Sequence, residues 1–367
     1  MRLSLILSLY IGRHFLASFA VIFAIFLGLI FMFDIVELLR RASSHENVGA
    51  GLVLQMGLVK LPFMGQQAFP FAVLFGGMAA FWRLTRNSEL IVARAAGVSA
   101  WQFLLPVLVT AFLLGTIKIA ALNPLASALL SNFDRLNATY LKGQSNLLSV
   151  SANGLWLRQA DDKNQSVIHA ASIGIDGANI TLNQVTIFVY KGSDKFVQRI
   201  DAKTGELEDQ FWHLRGVTIH DRERELPVQK AEHWFATDIT VNNINDSFAP
   251  PETLSFWDLP GFIDNLDRAG FSAIRHRLYW HSLLAAPLLL CAMVLIAATF
   301  TLRHSRVVNV TYVVAGGVLT GFLLFFFSDI VFALGTRESI PVVLAAWTPS
   351  GISTLLGLAM MFHLEDG

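Results

Sequence analysis

The sequence predicts a polytopic α-helical membrane protein in which six transmembrane helices carry one inserted antiparallel β-domain. Three observations support this fold class. Hydrophobic residues make up 54% of the 367 residues and charged residues only 15%, whereas soluble domains average about 25% charged. Six stretches are long and apolar enough to cross a bilayer. The region between the third and fourth of them has the alternating pattern and turn signals of short β-strands.

A spanning helix needs about 20 mostly apolar residues. The six candidate spans are residues 15–33, 61–82, 95–117, 283–302, 307–328 and 339–362. The prolines within these spans are compatible with membrane helices, because neighbouring helices can satisfy the backbone groups that proline frees. We interpret residues 15–33 as the first membrane helix and not as a cleavable signal, since no small-residue cleavage site follows them.

The distribution of arginine in the short loops predicts that both termini are cytoplasmic and that the long insert lies outside. With this orientation seven arginines lie in inside segments (Arg2, Arg13, Arg83, Arg86, Arg94, Arg303, Arg306) and three in short outside loops (Arg40, Arg41, Arg337). Arg40 and Arg41 are therefore on the disfavoured side. Either the topology is wrong there, or these two side chains have a function.

The insert has the short, closely spaced apolar runs of an antiparallel sandwich or jelly roll. The predicted strands are residues 166–171, 180–190, 196–202, 211–220 and 234–241, and the predicted turns are 176–177, 191–194 and 204–205. Residues 255–269 then predict a short amphipathic helix that returns the chain to the membrane. The predicted organisation is helices one to three over residues 1–122, the β-domain with its connecting helix over 123–275, and helices four to six over 276–367.

No motif for chemistry within this chain is found. The sequence lacks a phosphate-binding GxxxxGK[ST] loop, an HExxH zinc motif and a GxSxG nucleophile motif. The net charge is zero, so bulk charge predicts no nucleic-acid surface. Cys291 is the only cysteine, and His276 and His281 are five residues apart, a poor spacing for a shared metal. We predict no catalytic residues, no metal and no cofactor bound by this chain.

The loop from Arg83 to Gly97 predicts a short cytoplasmic helix at about residues 84–97. Ser88 is a candidate cap, Glu89 would lie in the first turn where the helix dipole favours an acid, and Gly97 can end the helix. An ordinary interfacial helix would look the same. The functional interpretation is a docking helix for a soluble partner such as an ATPase.

Charged residues cluster at the end of the first span, at Asp34, Glu37, Arg40 and Arg41. Side chains at a membrane boundary commonly extend to the interface without a further role. Two adjacent arginines can also bind an anionic head group, because a guanidinium binds phosphate through two hydrogen bonds. The edges of the β-domain are a third candidate site, since an open sheet edge can add a strand from a similar domain of a partner.

Together these features resemble the LptF/LptG (YjgP/YjgQ) family, the permease subunits of the lipopolysaccharide export transporter. The resemblance covers essentially the whole chain. The stretch from Pro70 through Arg86-Asn-Ser-Glu-Leu-Ile-Val-Ala-Arg-Ala-Ala-Gly97 is similar to the coupling segment of the family. Tyr10-Ile-Gly-Arg13 resembles the LptG-type start, Gly154-Leu-Trp156 resembles the first jelly-roll strands, and Pro287 matches the pattern of the fourth helix.

The resemblance implies an inner-membrane permease with a periplasmic jelly roll. It implies a homologous LptF-type permease, a dimer of a cytoplasmic LptB-type ATPase that uses ATP, and LptC-type and LptA-type periplasmic jelly-roll proteins as partners. Lipopolysaccharide would be the substrate. It assigns coupling to the ATPase to Arg86, Ser88, Glu89, Leu90 and Gly97. Arg40 and Arg41 match basic positions that face the lipid A phosphates, whereas Asp34 departs from the pattern, because some relatives carry a basic residue nearby.

Aromatic and aliphatic residues of the first and fifth spans are the candidate lining of a substrate cavity. They are Phe26, Leu29, Ile30 and Phe33, and Phe322, Phe325 and Phe326. Each of them would serve equally well as lipid-facing or packing surface. The leading hypothesis is a lipopolysaccharide export permease. The alternatives are a permease for another outer-membrane lipid or lipoprotein, and a non-transporting scaffold that recruits periplasmic partners through its β-domain.

Overall fold

The computed structural model of the chain contains two compact units. One, here called the membrane unit, comprises residues 1–141, 252–257 and 277–367, and the other, the β unit, comprises residues 142–251 and 258–276. The structure describes residues 5–43, 48–95, 97–142, 148–151, 154–160, 164–176, 179–191, 195–208, 210–222, 226–237, 249–268, 272–301 and 310–366.

The membrane unit is helical. Its helices are α1 (Leu5–Ala42), α2 (Ala50–Arg86), α3 (Glu89–Ala95), α4 (Ala100–Ile117), α5 (Asn123–Asn137), α7 (Ile274–Thr301), α8 (Val310–Thr336) and α9 (Val342–Asp366). Helix α6 (Leu259–Arg268) belongs to the β unit. Within the described ranges, six helical segments are long and apolar enough to cross a membrane, which confirms the predicted number of spans. Most extend well past the predicted ends. The 38 residues of α1 measure roughly 57 Å at 1.5 Å per residue.

The third span is longer than predicted, because α4 continues into α5. A π-helical turn (Lys118–Leu122) joins them and a second one (Ala138–Lys142) follows. The prediction that the insert begins at residue 123 is therefore wrong in its boundary. The polar residues of α5 suggested an exit from the membrane, but Leu130 and Phe133 are buried against Met56 of α2, so this stretch is an amphipathic helix.

Close helix packing in the membrane unit depends on glycine. A Cβ atom at Gly76 of α2 would lie 2.8 Å from the Cα of Phe19, and one at Gly115 of α4 would lie 2.6 Å from the Cα of Pro287. Small residues permit this approach of two backbones, which is how membrane helices gain packing energy. The two contacts fix α1 against α2 and α4 against α7.

The β unit contains one seven-stranded antiparallel sheet whose strands pair in chain order. The strands are β1 (Leu148–Ser151), β2 (Gly154–Ala160), β3 (Asn164–Asp176), β4 (Asn179–Lys191), β5 (Lys195–Glu208), β6 (Phe211–Asp221) and β7 (Val228–Ala236). Alternate residues face one core, including the fully buried Ile187, Ile200 and Trp212. The predicted antiparallel β-domain between membrane helices is confirmed.

The strand prediction omits β1 and β2 and is wrong in two further details. Residues 204–205 are not a turn but lie within β5, where Thr204 pairs with Asn183 and Arg215. A Cβ at Gly205 would lie 2.9 Å from Cδ2 of Leu214, so this glycine provides space in the core. The last strand begins at Val228 and not at residue 234, while residues 238–241 of the predicted strand lie outside the described residues.

The sheet is rolled, so that its second strand meets the end of its last. The Gln159 side chain donates to the carbonyl of Ala236 at 3.0 Å and accepts from the Thr237 hydroxyl at 2.7 Å. These bonds satisfy polar groups at the sheet edges, which otherwise attract another strand. After the sheet, the predicted amphipathic helix is present as α6, and its Leu259, Ile263 and Leu266 are buried at helical spacing.

Candidate functional site

Helix α3 is the short helix that the sequence predicts after the second span, and its C-terminus is well defined. Gly97 has a φ of 83°, the left-handed conformation that glycine adopts readily, and the Val98 N–H donates to the carbonyl of Ala93 at 3.1 Å. This 6→1 bond is that of a Schellman motif. Ser99 and Gln102 then form a reciprocal capping box at the start of α4. The chain direction on both sides of Gly97 is therefore fixed by hydrogen bonds.

The N-terminus of α3 differs from the prediction. Ser88 has a φ of 60°, whereas a capping serine normally has an extended backbone. Ser88 contributes its carbonyl, which accepts the Val92 N–H at 3.1 Å. Of the other predicted coupling residues, Arg86 stacks on the ring of Trp82 at 5.2 Å, and the side chain of Leu90 lies outside the described atoms.

Two of the described residues hydrogen-bond to the Glu89 side chain. The Asn87 amide donates to its Oε1 at 3.3 Å, and the hydroxyl of Tyr10 on α1 makes a side-chain hydrogen bond with the Glu89 carboxylate. The carboxylate is therefore held at the junction of α1, α2 and α3. Val92, one turn further on, is 67% exposed and presents an apolar side chain beside it.

At the other end of α1 the two arginines of the candidate anion site share one carboxylate. Arg40 donates to both oxygens of Glu37, each at 2.9 Å, and Arg41 donates from Nε at 2.8 Å. Their side chains are 75% and 56% exposed. A guanidinium has five N–H donors, and these contacts orient both groups toward one carboxylate.

Asp34, which departs from the family pattern, is paired across two helices. Its carboxylate accepts from the Lys60 ammonium of α2 at 2.5 Å, and the Asp34 side chain is only 9% exposed. The ammonium also lies 5.2 Å from the ring centre of Phe133 on α5. Asp34 therefore joins α1 to α2, and the Lys60 ammonium offsets its negative charge.

An apolar groove of about 650 Å³ lies between α1, α2 and α8. Its volume is in the range of ligand-binding sites in proteins. The lining residues are Ile22, Ile25 and Phe26 from α1, Phe71, Phe75, Met78, Ala79 and Trp82 from α2, and Val314, Val318 and Phe322 from α8. All eleven have hydrocarbon or aromatic surfaces, so the groove suits an acyl chain and not a polar ligand.

The structure brings only two of the predicted cavity residues, Phe26 and Phe322, into this groove. Phe325 packs at 6.2 Å from Phe71, and Phe326 stacks on Phe322 at 6.4 Å, both beside the groove. Leu29, Ile30 and Phe33 do not line it: Leu29 and Phe33 are exposed and Ile30 is half-buried.

The largest contribution to the lining comes from α2 and was not predicted from the sequence. Phe71, Phe75, Met78 and Trp82 recur at spacings of four, three and four residues, so they share one face of the helix. This signal is weak, because the other faces of α2 are apolar as well.

Comparison with known proteins places this architecture in one family. Residues 9–363 match the family model described as Lipopolysaccharide export system permease LptF/LptG. The chain is 25% identical over 368 residues to the lipopolysaccharide export system permease protein LptG of Escherichia coli (strain K12), with 98% of each chain covered. It is 24% identical over 367 residues to the protein of the same description from Haemophilus influenzae, with 97% of this chain and 96% of the relative covered. With six membrane helices, an inserted antiparallel sheet and a match over nearly its whole length, the chain belongs to the LptF/LptG family of lipopolysaccharide export permeases.

Proposed function

We propose that this chain is the permease subunit that extracts lipopolysaccharide from the inner membrane and passes it through its β unit to a periplasmic β-bridge. The apolar groove between α1, α2 and α8 is the observation that carries the proposal. Burying one methylene group contributes about 0.8 kcal/mol, so a lipid with several acyl chains leaves the bilayer at a large cost. A groove with an apolar lining lowers that cost by replacing bilayer contacts.

The two arginines at the end of α1 are proposed to contact the phosphates of lipid A. They are pre-oriented by Glu37 and remain largely exposed. A phosphate can accept from exposed guanidinium N–H groups such as those of Arg40, and charge-assisted bonds of this kind are the stronger hydrogen bonds in proteins. This role favours lipopolysaccharide over the alternative of an uncharged outer-membrane lipid.

Energy for the transport is proposed to come from ATP hydrolysis by a separate cytoplasmic LptB-type ATPase dimer. Helix α3 is the proposed docking element, with Glu89 and the exposed Val92 as its contact residues. Arg86 and Gly97 hold the helix in position through the Trp82 stack and the Schellman turn. The further proposed partners are an LptF-type permease and periplasmic LptC-type and LptA-type proteins, and no cofactor bound by this chain is proposed for the transport.

The proposed orientation places both termini and α3 in the cytoplasm and the β unit in the periplasm. It rests on the arginine distribution, in which Arg83 and Arg86 precede α3. Arg303 and Arg306, which also contribute to the count, lie outside the described residues.

Photo-crosslinking tests the substrate groove. A photoreactive phenylalanine analogue is placed at Phe322, inside the groove, and at Leu355 of α9, which is exposed but is not among the groove residues. Cells carrying each variant are irradiated, and adducts are detected with an antibody to lipopolysaccharide. We expect several-fold more adduct at Phe322. Equal labelling at both positions contradicts a substrate groove and leaves only general contact with membrane lipid.

Co-purification tests the ATPase partner. The full chain in mild detergent is expected to retain a cytoplasmic ATPase, and Glu89→Lys is expected to lose it. Glu338→Lys is the matched control, since it makes the same change in an exposed turn between α8 and α9. If no ATPase accompanies the folded wild-type chain, the transporter loses its energy source and the scaffold hypothesis moves ahead.

A further inference from the structure

A cluster of carboxylates surrounds a buried histidine on the outer face of the β unit. His213 of β6 pairs with Glu206 of β5 on one side and with Trp234 of β7 on the other. Directly paired residues of adjacent strands point to the same face of a sheet. The neighbours of His213 in the chain, Trp212 and Leu214, are fully buried on the opposite face. His213 therefore lies outside the core that the strand alternation builds.

His213 is nevertheless removed from solvent. The residue is only 8% exposed, and the Trp234 ring lies parallel to the imidazole at 4.1 Å with an interplanar angle of 1°. Neither ring nitrogen forms a hydrogen bond with any residue that the structure describes. Buried polar atoms normally have a hydrogen-bond partner, so both ring nitrogens are available to a ligand.

The groups around the imidazole are carboxylates. Nδ1 lies 3.7 Å from Oε1 of Glu208, and Nε2 lies 3.3 Å from Oε2 of Glu232. Ligand atoms of Glu206, Glu208 and His213 all lie within 4.8 Å of one another. One guanidinium faces the same group, with Nη2 of Arg215 at 3.3 Å from Oε2 of Glu206. Among the described residues, three carboxylates against one guanidinium leave an excess of negative charge around the imidazole.

We propose that Glu206, Glu208 and His213 bind a divalent transition-metal ion of the zinc class. Zinc accepts imidazole nitrogen and carboxylate oxygen together at about 2.0–2.2 Å. The three ligand atoms already lie within 4.8 Å of one another and would draw closer together around the ion. Calcium and magnesium prefer oxygen ligands alone, so the imidazole selects against them. The sequence alone predicts no metal, because these ligands are brought together by strand pairing and have no compact sequence motif.

Glu232 completes the arrangement as a positioning residue. When one imidazole nitrogen binds a metal, the other N–H commonly donates to a carboxylate, which fixes the orientation of the ring. Metal binding through Nδ1 leaves Nε2–H facing Glu232 at 3.3 Å. The ion would then tie β5 to β6, and the second carboxylate and the Trp234 stack would connect them to β7. Metal binding would therefore link β7, the last strand of the sheet, more firmly to β6.

Zinc titration of the full chain in detergent tests the proposal. Binding is measured by calorimetry, and tryptophan fluorescence is recorded in parallel because Trp234 stacks on the proposed ligand. We expect one zinc site that His213→Gln and Glu208→Gln each weaken at least tenfold. The control is His220→Gln, which removes an exposed histidine of the same strand that has one carboxylate, Asp201, at 3.5 Å.

Glu208→Gln keeps the test decisive if His213→Gln fails to fold, since the Glu208 side chain is 50% exposed. Circular dichroism establishes that each variant retains its sheet. Equal zinc affinity in the wild type, Glu208→Gln and His213→Gln overturns the proposal, because binding then resides in other histidines. Calcium binding as tight as zinc binding, with no effect of His213→Gln, overturns it as well.

Discussion

The β unit and the membrane unit build their cores by different means. In the β unit, alternate residues of each strand are buried, and large side chains such as Trp212 and Ile200 fill the core. In the membrane unit the helices are apolar on nearly every face, and close packing depends on small residues such as Gly76 and Gly115. Association of helices in lipid gains little from hydrophobicity, because lipid tails are as apolar as leucine.

This difference predicts which kind of substitution destabilises each unit. The β unit is expected to be most sensitive to loss of volume, because its core is held by burial of large apolar side chains. The membrane unit is expected to be most sensitive to added volume where two backbones approach. Substitutions of opposite kind in the two units therefore test the comparison.

The largest effect is expected from Gly115→Leu. The new side chain would meet the backbone of Pro287 at its Cβ, where the distance is 2.6 Å, so α4 and α7 must separate. Overpacking commonly costs about 1–3 kcal/mol, and more when backbone is displaced. We expect little folded protein in detergent size-exclusion chromatography. Gly351→Leu is the control, since nothing lies within 4 Å of its Cβ position, and equal yields of the two variants would contradict glycine-dependent packing.

Trp212→Ala should give an effect of comparable size, in the β unit. Trp212 is fully buried, and removal of a buried tryptophan typically costs about 3–5 kcal/mol. Thermal unfolding followed by circular dichroism in the β-sheet region measures the change. Phe211→Ala is the matched control on the same strand, because Phe211 is exposed and points to the other face. Similar losses at both positions would show that the alternation does not define the core.

The same difference explains how much of the fold the sequence predicts. Alternation placed nearly all of β4 and β6 and about half of β3 and β5, since one polar and one apolar face alternate along each strand. The sequence wrongly predicts a turn at Thr204-Gly205. A glycine can mark a turn, but it can also make space for a neighbouring side chain, which here is Leu214. Residues 123–137 were wrongly assigned to the insert. Their polar side chains concealed the helical spacing of Leu130 and Phe133, which are buried.

The candidate site was predictable only where charge or backbone conformation marks it. Gly97 was identified as a helix end from its position, and Glu37 with the two arginines from local charge. The groove lining was not predictable, because α2 has no polar face against which Phe71 and Phe75 would stand out. The cluster at His213 requires the register of β5, β6 and β7, which no short stretch of sequence contains.

A smaller effect is expected at the polar contacts of α1, where burial again decides the outcome. Asp34→Asn leaves the Lys60 ammonium without its carboxylate in a largely buried place, and loss of a hydrogen bond to a charged group costs about 1.5–3 kcal/mol. Glu37→Gln is the control on the same helix, in an exposed cluster where little change of the thermal midpoint is expected. Asp34→Asn combined with Lys60→Met should recover stability, and failure to recover would show that the two side chains do not act as a pair.

The smallest structural effect is expected from Tyr10→Phe, which separates the packing of α1 from its hydrogen bond to α3. The ring contact with His14 at 4.4 Å remains, while the hydroxyl that bonds Glu89 is removed. Since Asn87 still donates to the carboxylate, Glu89 should stay in place and be more available to a cationic partner. We expect unchanged thermal unfolding and at least as much co-purified ATPase as with the wild type, whereas Glu89→Lys should lose it. If Tyr10→Phe loses the ATPase as fully as Glu89→Lys, the Tyr10 hydroxyl is itself part of the docking surface, and α1 and α3 form one contact face instead of two.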